Sequence, residues 1–488
     1  MKSAVIDFCI GERFAPLSLI ESDHFTIGSD VETKFPVEDF LSLIEQYDRP
    51  IMFVRNLSKV FQSIIEPMLL KNGFECKYCT GETFHPYTPP LKQKQYAPMI
   101  FGFDKVCMSI RFQNFKVYDT APWLNSKHSF MNRLTKEEIR MFDRLSEDPE
   151  LKMTPSLEAW KRTKDDITLS RNKIDLDIYQ QLLGAYQGGI IQSLPGYYNE
   201  AYHYDVTSLY PFIVSITKRL PDMYHAFLSK ESMKVHPDCF AYWIKDDNDG
   251  RYHCLDDDRE TVPAGTIMMP LSLKNPYCSL MEAMFFEKNQ CSKGQPEYEI
   301  RKKKINSFIG RIGKRMKENV FFPYCIKNEG RILDKDAANR LPGYYRKNDP
   351  HVSNLAAYQY IIARSRIYMR CLIANAYERT GMNIIQINTD GFFTDIELPE
   401  EFYSVERYLG SLRFEYKAHD LTIFASNQYT CKEETCISGL ASNYFDKKYS
   451  TYSIPVLRHD YKKNVNYYSY QQFTLGGNYN GEDTDYLE

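Results

Sequence analysis

The sequence predicts a multidomain protein of mixed α/β and α+β class. Its 488 residues exceed what one ordinary hydrophobic core organises, so two to four domains or subdomains are expected. Near the N-terminus, buried strand patterns alternate with an amphipathic helix, which is typical of a small α/β domain. Farther along, β-rich stretches and β-hairpin signals are combined with long helices. The composition, with 43% hydrophobic and 26% charged residues, is that of a globular protein.

Residues 1–185 form the first predicted domain. Buried strands are predicted at 3–11 (SAVIDFCIG), 49–57 (RPIMFVRNL) and 114–124 (NFKVYDTAPWL). The run at 58–73 has apolar residues at helical spacing and predicts an amphipathic helix that ends at Gly73. Residues 131–184 are polar and rich in helix formers, so we expect a helical connector there.

The chain becomes β-rich at the segment YQGG, residues 186–189. Residues 220–275 are polar and contain turn clusters, which predict short strands and loops. The helices predicted after this region begin at about 279 and span 297–317 and 353–379. The last of these has no Gly or Pro. A hairpin-bearing insertion is predicted at about 319–350.

Two aspartates occupy positions that need a chemical explanation. Asp205 lies inside the aromatic and apolar run YHYDVTSLYPFIV, and a buried carboxylate is costly unless it is paired or binds a metal. Asp390 lies at the tip of a predicted β-hairpin, in NTDG between two apolar runs. Asp390 alone could be an ordinary turn residue. Two carboxylates brought together at strand ends, however, need a cation between them, and Mg²⁺ is the typical one.

The segment 301–317 is basic, with eight Lys or Arg residues and no acidic residue. Such a run is usually a solvated face, and the net charge of -3 does not itself indicate nucleic acid. Lys302 and Asn306, however, are four residues apart and therefore lie on one helical face. A positive side chain there suits phosphate binding next to metal ions that promote in-line displacement at phosphorus.

These segments together resemble the motifs of family B DNA polymerases, in the family's order. DVTSLYP at 205–211 resembles motif A, KKKINSFIG resembles motif B, and NTDG resembles motif C. YQGG resembles a motif of the protein-primed group found in small phages and linear plasmids. The resemblance implies a right-hand polymerase of palm, fingers and thumb, following an N-terminal DnaQ-like 3′–5′ exonuclease domain.

The resemblance also implies domain limits and a role for each matching residue. Palm and fingers would span 186–400, and the end of the palm, the thumb and an acidic tail would span 401–488. The insertion at 319–350 resembles a short form of the second terminal-protein-region insertion. The implied catalytic residues are Asp205, Asp390 and Lys302, with Asp205, Val206 and Asp390 as metal ligands. The implied nucleotide-binding residues are Val206, Ser208, Leu209, Tyr210, Lys302 and Asn306. The implied DNA-binding residues are Tyr186, Gly188, Gly189, Ser307, Gly310, Thr389 and Tyr429.

The implied cofactor is a pair of Mg²⁺ ions, with Mn²⁺ as a substitute, and the implied partners are template and primer DNA, dNTPs and a terminal protein primer. No apolar run reaches membrane-spanning length, so no membrane partner is expected. Twelve cysteines in so long a chain do not form a dense disulfide framework. Without a secretory signal at the N-terminus, we expect reduced thiols and a cytoplasmic location in a host cell.

The polymerase motifs depart from the family at three places. Motif C has Asn388 where the family has its first Asp, which should weaken metal affinity or change metal preference. Motif B has Ile309 in place of Tyr. NQY stands where the family has its KxY motif, and it keeps Tyr429 but has no Lys. Lys432 is the candidate substitute for that Lys.

The N-terminal domain departs further, because proofreading needs about four carboxylates around two metal ions. Asp7 keeps one of these carboxylates and Asp119 supplies a second, whereas Cys9 and Val60 stand where the exonuclease pattern has Glu and Asp, and Met141 and Leu145 stand where it has Tyr and Asp. With two of four carboxylates lost, two metals cannot be held in working geometry. We therefore expect an exonuclease-like domain without proofreading.

The predicted function is a DNA-directed DNA polymerase that adds dNTPs to a primer 3′-OH in the protein-primed replication of a small linear genome. Two interpretations from other classes stay open. One is a catalytically weakened polymerase-like protein that only binds nucleic acid. The other is a nucleotidyltransferase that needs no template, or a nuclease.

Overall fold

The computed structural model describes most of the chain between residues 115 and 438 and separate segments outside it. The described residues are 5–6, 19–22, 25–28, 50–55, 57, 74–79, 99–103, 106–111, 115–124, 134–152, 154–163, 169–170, 173–185, 187–313, 322–327, 351–438, 440, 445, 450, 451–460 and 465–475. The chain divides into two compact units. Unit one comprises residues 1–183, 223–225 and 279–358, and unit two comprises 184–222, 226–278 and 359–488. The domain limits inferred from the sequence stay a prediction.

Unit one contains a five-stranded mixed sheet. The strands up to residue 183 are β1 (Val5–Ile6), β2 (Leu19–Ser22), β3 (Phe25–Gly28), β4 (Ile51–Val54), β5 (Phe74–Cys79), β6 (Met99–Phe103), β7 (Val106–Arg111), β8 (Lys116–Asp119) and β9 (Leu169–Ser170). The sheet order is β1-β4-β8-β7-β6, with the first three strands parallel and the others antiparallel. Strands therefore form within all three segments predicted in this domain, whereas the helix predicted at 58–73 lies outside the described residues.

The core of unit one lies between this sheet and its first helix. The helices up to residue 183 are α1 (Lys136–Leu145), α2 (Pro155–Trp160) and α3 (Leu176–Leu183). Thr135 and Glu138 form a capping box that fixes the start of α1. The buried ring of Phe53 packs against Phe142 of this helix at a centroid distance of 4.7 Å and against Trp123 at 6.3 Å.

The next part of the chain supplies most of the short strands of unit two. These are β10 (Ile191–Ser193), β11 (Gly196–Val206), β12 (Arg219–Leu220), β13 (Phe227–Leu228), β14 (Met233–Lys234), β15 (Phe240–Lys245), β16 (Tyr252–Cys254), β17 (Thr261–Val262), β18 (Ile267–Pro270) and β19 (Leu273–Lys274). One helix, α4 (Leu209–Ile216), follows β11 directly. The strands and loops predicted for 220–275 are confirmed, and four of these strands form a sheet of order β13-β18-β15-β16.

The described residues between 278 and 380 are mainly helical. The elements are α5 (Cys278–Asn289), α6 (Pro296–Ile312), β20 (Phe322–Lys327), β21 (His351–Val352) and α7 (Leu355–Thr380). The basic helix is predicted to reach 317, but its described part ends at Ile312 with Gly313 as the C-cap residue. Gly313 lies against the ring of Tyr358, where a Cβ atom would be 2.3 Å from Cγ. Strand β20 pairs with β5, while 328–350 of the predicted hairpin lie outside the described residues.

The last part of the chain completes a seven-stranded antiparallel sheet in unit two. Its strands are β22 (Ile384–Asn388), β23 (Gly391–Thr394), β24 (Leu412–Ala425), β25 (Gln428–Thr430) and β26 (Thr435–Ile437), followed by a separate hairpin of β27 (Thr451–Asp460) and β28 (Val465–Thr474). The sheet order is β10-β22-β23-β11-β24-β25-β26. The hairpin predicted at 382–396 is confirmed as β22 and β23. Among the described helices, none has the length and apolar character needed to cross a bilayer.

Candidate active site

The structure places Asp205 at the end of the central strand of this sheet. Strand β11 runs between β23 and β24, with Asp205 opposite Gly391 on one side and Arg413 on the other. Ser208, three residues later, adopts the left-handed conformation at φ 55° and begins helix α4. Asp205 is therefore held by two neighbouring strands, and the chain turns away from the sheet immediately after it.

Asp390 lies beside Asp205 in the tight turn between β22 and β23. Asn388 and Gly391 are the paired residues that close this turn, and Thr389 has φ 60°. The Val206 N–H donates a hydrogen bond to the Asp390 carbonyl oxygen at 2.7 Å. The backbones of the two aspartates are thus tied together through the residue after Asp205, as the sequence predicted from the two strand ends.

Both aspartate segments contain strained backbone. Ser208 and Thr389 are two of only four non-glycine residues with positive φ among the described residues. A left-handed conformation costs a residue with a Cβ atom about 1–3 kcal/mol, and such strain persists where the surrounding structure fixes it, often at functional sites. Here the strained residues change the chain direction three residues after Asp205 and directly before Asp390.

Motif A is further fixed by backbone contacts with the loop before β24. Thr207 N–H donates to Ser411 O at 2.8 Å, and Gly410 N–H donates to Thr207 O at 2.8 Å. Leu209 is buried, whereas Ser208 and Tyr210 are half-buried. The segment predicted to bind the nucleotide therefore has a rigid backbone with partly accessible side chains.

The YQGG segment packs against the tip of motif C. A Cβ atom on Gly189 would lie 2.7 Å from Cγ2 of Thr389, and the Thr389 N–H donates to Ile190 O at 2.8 Å. Around Gly188, by contrast, no described atom lies within 4 Å of a Cβ position. Gly189 is thus required by a close approach, whereas the described residues give no such reason for Gly188. Tyr186, also predicted to bind DNA, lies outside the described residues.

A groove of about 640 Å³ opens next to this segment within unit two. Its wall is formed by Gly188 to Gln192, by one face of α7 and by the start of β22. Arg366 of α7 donates to Gly188 O at 3.3 Å and forms an ion pair with Asp256. Arg370, one turn later, pairs with the same carboxylate at 3.2 Å.

Motif B lies on helix α6 in unit one, and its residues divide between an exposed and a buried face of the helix. Lys302, Asn306 and Gly310 are exposed at a spacing of four residues. Ile305, Phe308 and Ile309 are buried, so an apolar residue at position 309 suits its surroundings. Ser307 is half-buried and donates to Lys304 O at 3.3 Å.

The neighbouring lysines of motif B are engaged inside unit one. Lys303 donates to the carbonyl oxygen of Leu124. The Lys304 ammonium lies 5.8 Å from the ring centre of Trp123, and burial lowers the pKa of both lysines. Only Lys302 of this trio is exposed, which agrees with the role that the resemblance assigns to it.

The sheet face that includes Asp205 also includes a cluster of buried aromatic and polar side chains. His203 stacks on Phe393 with ring centroids 4.4 Å apart, and burial lowers the pKa of His203 to about 4. Tyr429 is 6% exposed, and its hydroxyl donates to Glu434 at 3.0 Å. Tyr416 donates to the same carboxylate at 2.7 Å, and burial raises the pKa of both tyrosines. Tyr429 is predicted to contact DNA, but its side chain is buried, so only a small part of the ring is accessible for such a contact.

Lys432, considered as a substitute for the lysine of the KxY motif, pairs with Asp420 at 2.8 Å. Tyr197 donates to the other oxygen of that carboxylate at 2.6 Å. This Lys lies on an exposed edge of the sheet, and its side chain is occupied by the ion pair.

Sequence reasoning missed two charged residues near Asp205. Arg413, opposite Asp205 on β24, forms an ion pair with Glu415. Neither residue belongs to a motif recognised in the sequence, and both lie more than twenty residues after Asp390. Only the pairing of β24 with β11 indicates that these residues lie near Asp205, and the sequence does not specify that pairing.

A second acidic cluster lies in the loop between β15 and β16. Ligand atoms of Asp246, Asp249 and His253 lie within 4.8 Å of one another, which is a spacing compatible with a metal ion. From the sequence, only turn residues are predicted here. Its members are half-exposed or exposed, and such groups are common on surfaces without an ion.

The aspartate site has donors that suit Mg²⁺. The carboxylates of Asp205 and Asp390 and the backbone carbonyl of Val206 are hard oxygen ligands, and Mg²⁺ uses one or two carboxylates with water and phosphate completing its shell. The site therefore fits the metal ions that the resemblance implies, with Asn388 contributing an amide in place of a carboxylate.

No family model and no curated protein matches this sequence, but solved structures match its fold over most of the chain. Phi29 DNA polymerase in its post-translocation complex with primer-template DNA matches with a TM-score of 0.58 and 12% identity, over 96% of this chain and 99% of that chain. The ternary complex of Phi29 DNA polymerase with primer-template DNA and incoming nucleotide gives 0.57 and 13%, over 92% and 94%. The complex with single-stranded DNA gives 0.56 and 12%, over the same shares. The fold predicted from the motifs is thus confirmed as a mixed α/β fold like that of Phi29 DNA polymerase.

Proposed function

We propose, from a fold shared with Phi29 DNA polymerase, that this chain is a DNA-directed DNA polymerase that adds dNTPs to a primer 3′-OH. The observation that supports this best is the backbone tie between Val206 and Asp390, which brings two motif aspartates together at one end of an antiparallel sheet. Those aspartates stand in segments that resemble motifs A and C of family B polymerases and follow the order of that family.

The proposed metal ligands are Asp205, Asp390 and the carbonyl of Val206, holding two Mg²⁺ ions for which Mn²⁺ substitutes. When bound, such ions lower the pKa of an attacking hydroxyl and stabilise the leaving oxygen at phosphorus. The chain's part is to hold both carboxylates in place. The sheet register and the strained turns at Ser208 and Thr389 do this before any ligand arrives.

The nucleotide would be bound by residues of motifs A and B. The backbone from Val206 to Leu209 would cradle the triphosphate, and Tyr210 would lie beneath the deoxyribose and exclude a 2′-hydroxyl. Lys302 would bind the incoming phosphates, and Asn306 would pack against the new base pair. The exposure of Lys302 and Asn306 on one face of α6 supports these roles.

The DNA would contact residues around the aspartate site and on helix α6. Gly188 and Gly310 belong to this set, and no described atom lies within 4 Å of a Cβ position on either of them, so both positions have space for a ligand. A glycine inside a helix costs about 0.5–1 kcal/mol relative to Ala, and the described residues give no packing reason for it at Gly310. Thr389, Ser307, Gly189, Tyr186 and the buried Tyr429 complete the proposed set.

We further propose that the N-terminal domain has no proofreading activity. Both oxygens of Asp119 accept backbone N–H groups, from Leu57 at 3.1 Å and from Ala121 at 2.8 Å. Met141 is buried in the core of unit one, and Leu145 packs against that core. Apolar packing therefore occupies the positions where a nuclease of this type would need its Tyr and Asp. Asp7, Cys9 and Val60 lie outside the described residues.

Protein-primed replication of a small linear genome, inside a host cytoplasm, is the setting that the resemblance favours. A terminal protein would supply the priming hydroxyl. The insertion at 319–350, which the resemblance connects with that function, lies largely outside the described residues, so this part of the proposal depends on the sequence alone.

The test is incorporation of labelled dNTPs on a primed template with Mg²⁺ or Mn²⁺, comparing the wild type with Asp205→Asn and Asp390→Asn. The wild type should extend the primer according to the template, and each variant should lose at least 10³-fold in rate, as expected when a charged group at a phosphoryl-transfer centre is removed. Full activity in either variant would falsify the proposal.

Two further arms separate the alternative functions. Salt-sensitive DNA binding without any incorporation would favour a nucleic-acid-binding protein that has lost catalysis. Incorporation without a template would favour a terminal transferase. Degradation of a 3′-labelled single strand would show a nuclease and contradict the proposed loss of proofreading.

A further inference from the structure

Arg413 faces Asp205 across the central strands of the unit-two sheet. The two residues are direct partners in the antiparallel pairing of β11 and β24. Direct partners project to the same face, with Cβ atoms about 4.5–5.5 Å apart. The guanidinium group of Arg413 is long enough to reach the carboxylate region from this position.

A β-bulge next to this pair brings in a second charge. The register shifts between His203 and Tyr204, so that Glu415 is the extra residue of β24 between the partners Phe414 and Tyr416. Arg413 and Glu415 form an ion pair in which the side chains are only 14% and 20% exposed. Solvent and salt screen such partly buried charges weakly, so they act on neighbouring groups over several ångströms.

The charge balance at the site differs from that of a site built only of carboxylates. Asp205, Asp390 and Glu415 are acidic, Arg413 is basic, and Asn388 is neutral in the motif C turn. Two neighbouring carboxylates without a cation repel each other. A resident guanidinium offsets that repulsion without any metal, and it also repels a metal ion that approaches.

We propose that Arg413 is a built-in counter-charge for the aspartate site, which positions Asp205 in the absence of metal and lowers the affinity of the site for divalent cations. This inference rests on the proposed function, because it assumes that Asp205 and Asp390 bind such cations. Metal ions then bind well only when a nucleotide triphosphate adds its own negative charge, so metal binding and nucleotide binding are coupled.

The test measures metal binding by the full-length protein without DNA or nucleotide, as the rise in Tm with added Mg²⁺ or Mn²⁺. A ligand that binds only the folded state raises stability with its concentration, so the titration reports the dissociation constant. In Arg413→Gln, the Mn²⁺ concentration at which Tm starts to rise should fall at least tenfold, because a unit charge roughly 10 Å from a divalent ion is lost at an effective dielectric constant of about 20.

Lys417→Gln is the matched control. Lys417 is on the same strand and is also ion-paired, with Glu200 at 2.8 Å. It lies about 13 Å farther along β24 at ~3.3 Å per residue, beyond a Debye length of about 8 Å. This variant should bind Mn²⁺ like the wild type.

The double variant Arg413→Glu with Glu415→Arg exchanges the two residues and keeps the ion pair. It replaces Arg413→Gln as the test protein if Arg413→Gln does not fold. It should also bind Mn²⁺ more tightly than the wild type, because an acidic residue now faces Asp205. Unchanged or weaker binding in the variant that folds would overturn the inference.

Titration of Asp205→Asn separates this inference from the polymerase proposal. If Arg413→Gln binds Mn²⁺ more tightly than the wild type and Asp205→Asn binds it more weakly, the counter-charge role is supported even if no primer is extended. If primers are extended but Arg413→Gln binds Mn²⁺ like the wild type, only the counter-charge fails.

Discussion

Gly189 lies directly against Thr389, so that a Cβ atom on residue 189 would be 2.7 Å from Cγ2 of that threonine. The second glycine of the YQGG segment is therefore a packing requirement of the motif C turn, which is itself tied to Ile190 by a backbone hydrogen bond. This contact connects two motifs about 200 residues apart in the sequence.

Replacing the two glycines of YQGG one at a time should separate packing from DNA contact. Gly189→Ala should displace the turn that contains Asp390, lower the free energy of unfolding by about 1–3 kcal/mol and reduce primer extension strongly. Gly188→Ala should leave Tm unchanged, because no described atom lies within 4 Å of its Cβ position, and should weaken binding of a single-stranded template. Thermal unfolding and fluorescence anisotropy measure the two effects. Equal Tm values for both variants would contradict the packing role.

Two adjacent lysines of motif B should behave in opposite ways. Lys302 is exposed, so Lys302→Ala should raise the KM for dNTPs at least tenfold while Tm stays the same. Lys303 donates to Leu124 O, so Lys303→Ala should lower Tm, with a loss of about 1–2 kcal/mol, and leave the KM unchanged. Steady-state kinetics and thermal unfolding of the pair check this. A Tm loss in Lys302→Ala would indicate a structural role instead.

The local features of the site could be predicted from the sequence, whereas its long-range partners could not. The hairpin that bears Asp390 follows from turn residues between apolar runs, and the shared face of Lys302 and Asn306 follows from helical spacing. The placement of Arg413 opposite Asp205 depends on how β24 pairs with β11 and on the bulge at Glu415, which no local pattern specifies. The pairing of β20 with β5 was likewise invisible, because it joins segments far apart in the chain.

The end of the unit-two sheet away from the aspartates should show a specific acid dependence of stability. Glu433 accepts hydrogen bonds from the ring and backbone N–H of His419. Partial burial by itself opposes ionisation of Glu433, but these hydrogen bonds prevail and lower its pKa to about 2. The pKa in the unfolded chain is higher, so this stabilisation is present above about pH 4.5 and is lost as the pH falls toward 2.

Glu433→Gln should therefore lower the free energy of unfolding at pH 7 by less than about 1 kcal/mol, because the pair is largely solvent-screened. The difference from the wild type should shrink between pH 4.5 and 2, measured by urea unfolding. Glu400→Gln, which replaces another surface carboxylate of unit two, is the control. A difference that grows toward low pH would have the wrong sign.

Replacing Gly310 by Ala should have opposite effects on protein stability and on DNA binding. Its position is exposed within α6 and a Cβ atom would meet no described atom within 4 Å. Gly310→Ala should therefore raise stability by about 0.5–1 kcal/mol, because alanine loses less backbone entropy in a helix. If this surface contacts DNA, the same change should weaken primer-template affinity. Higher stability with unchanged DNA affinity would exclude Gly310 from the DNA surface.

Restoring a carboxylate in motif C should reduce the metal requirement. Asn388 is paired with Gly391 and is half-buried beside Asp390, so Asn388→Asp adds a negative charge next to the proposed metal ligands. One added charge at roughly 6–10 Å from a divalent ion, at an effective dielectric constant of about 20, contributes about 3–6 kcal/mol to cation binding before screening by salt. The Mg²⁺ concentration for half-maximal primer extension should fall at least tenfold. The control is Asn199→Asp, which adds the same charge at an exposed position of β11 about 20 Å along the strand at ~3.3 Å per residue. If both variants shift the Mg²⁺ dependence equally, the effect is one of net charge, and Asn388 does not face the metal site.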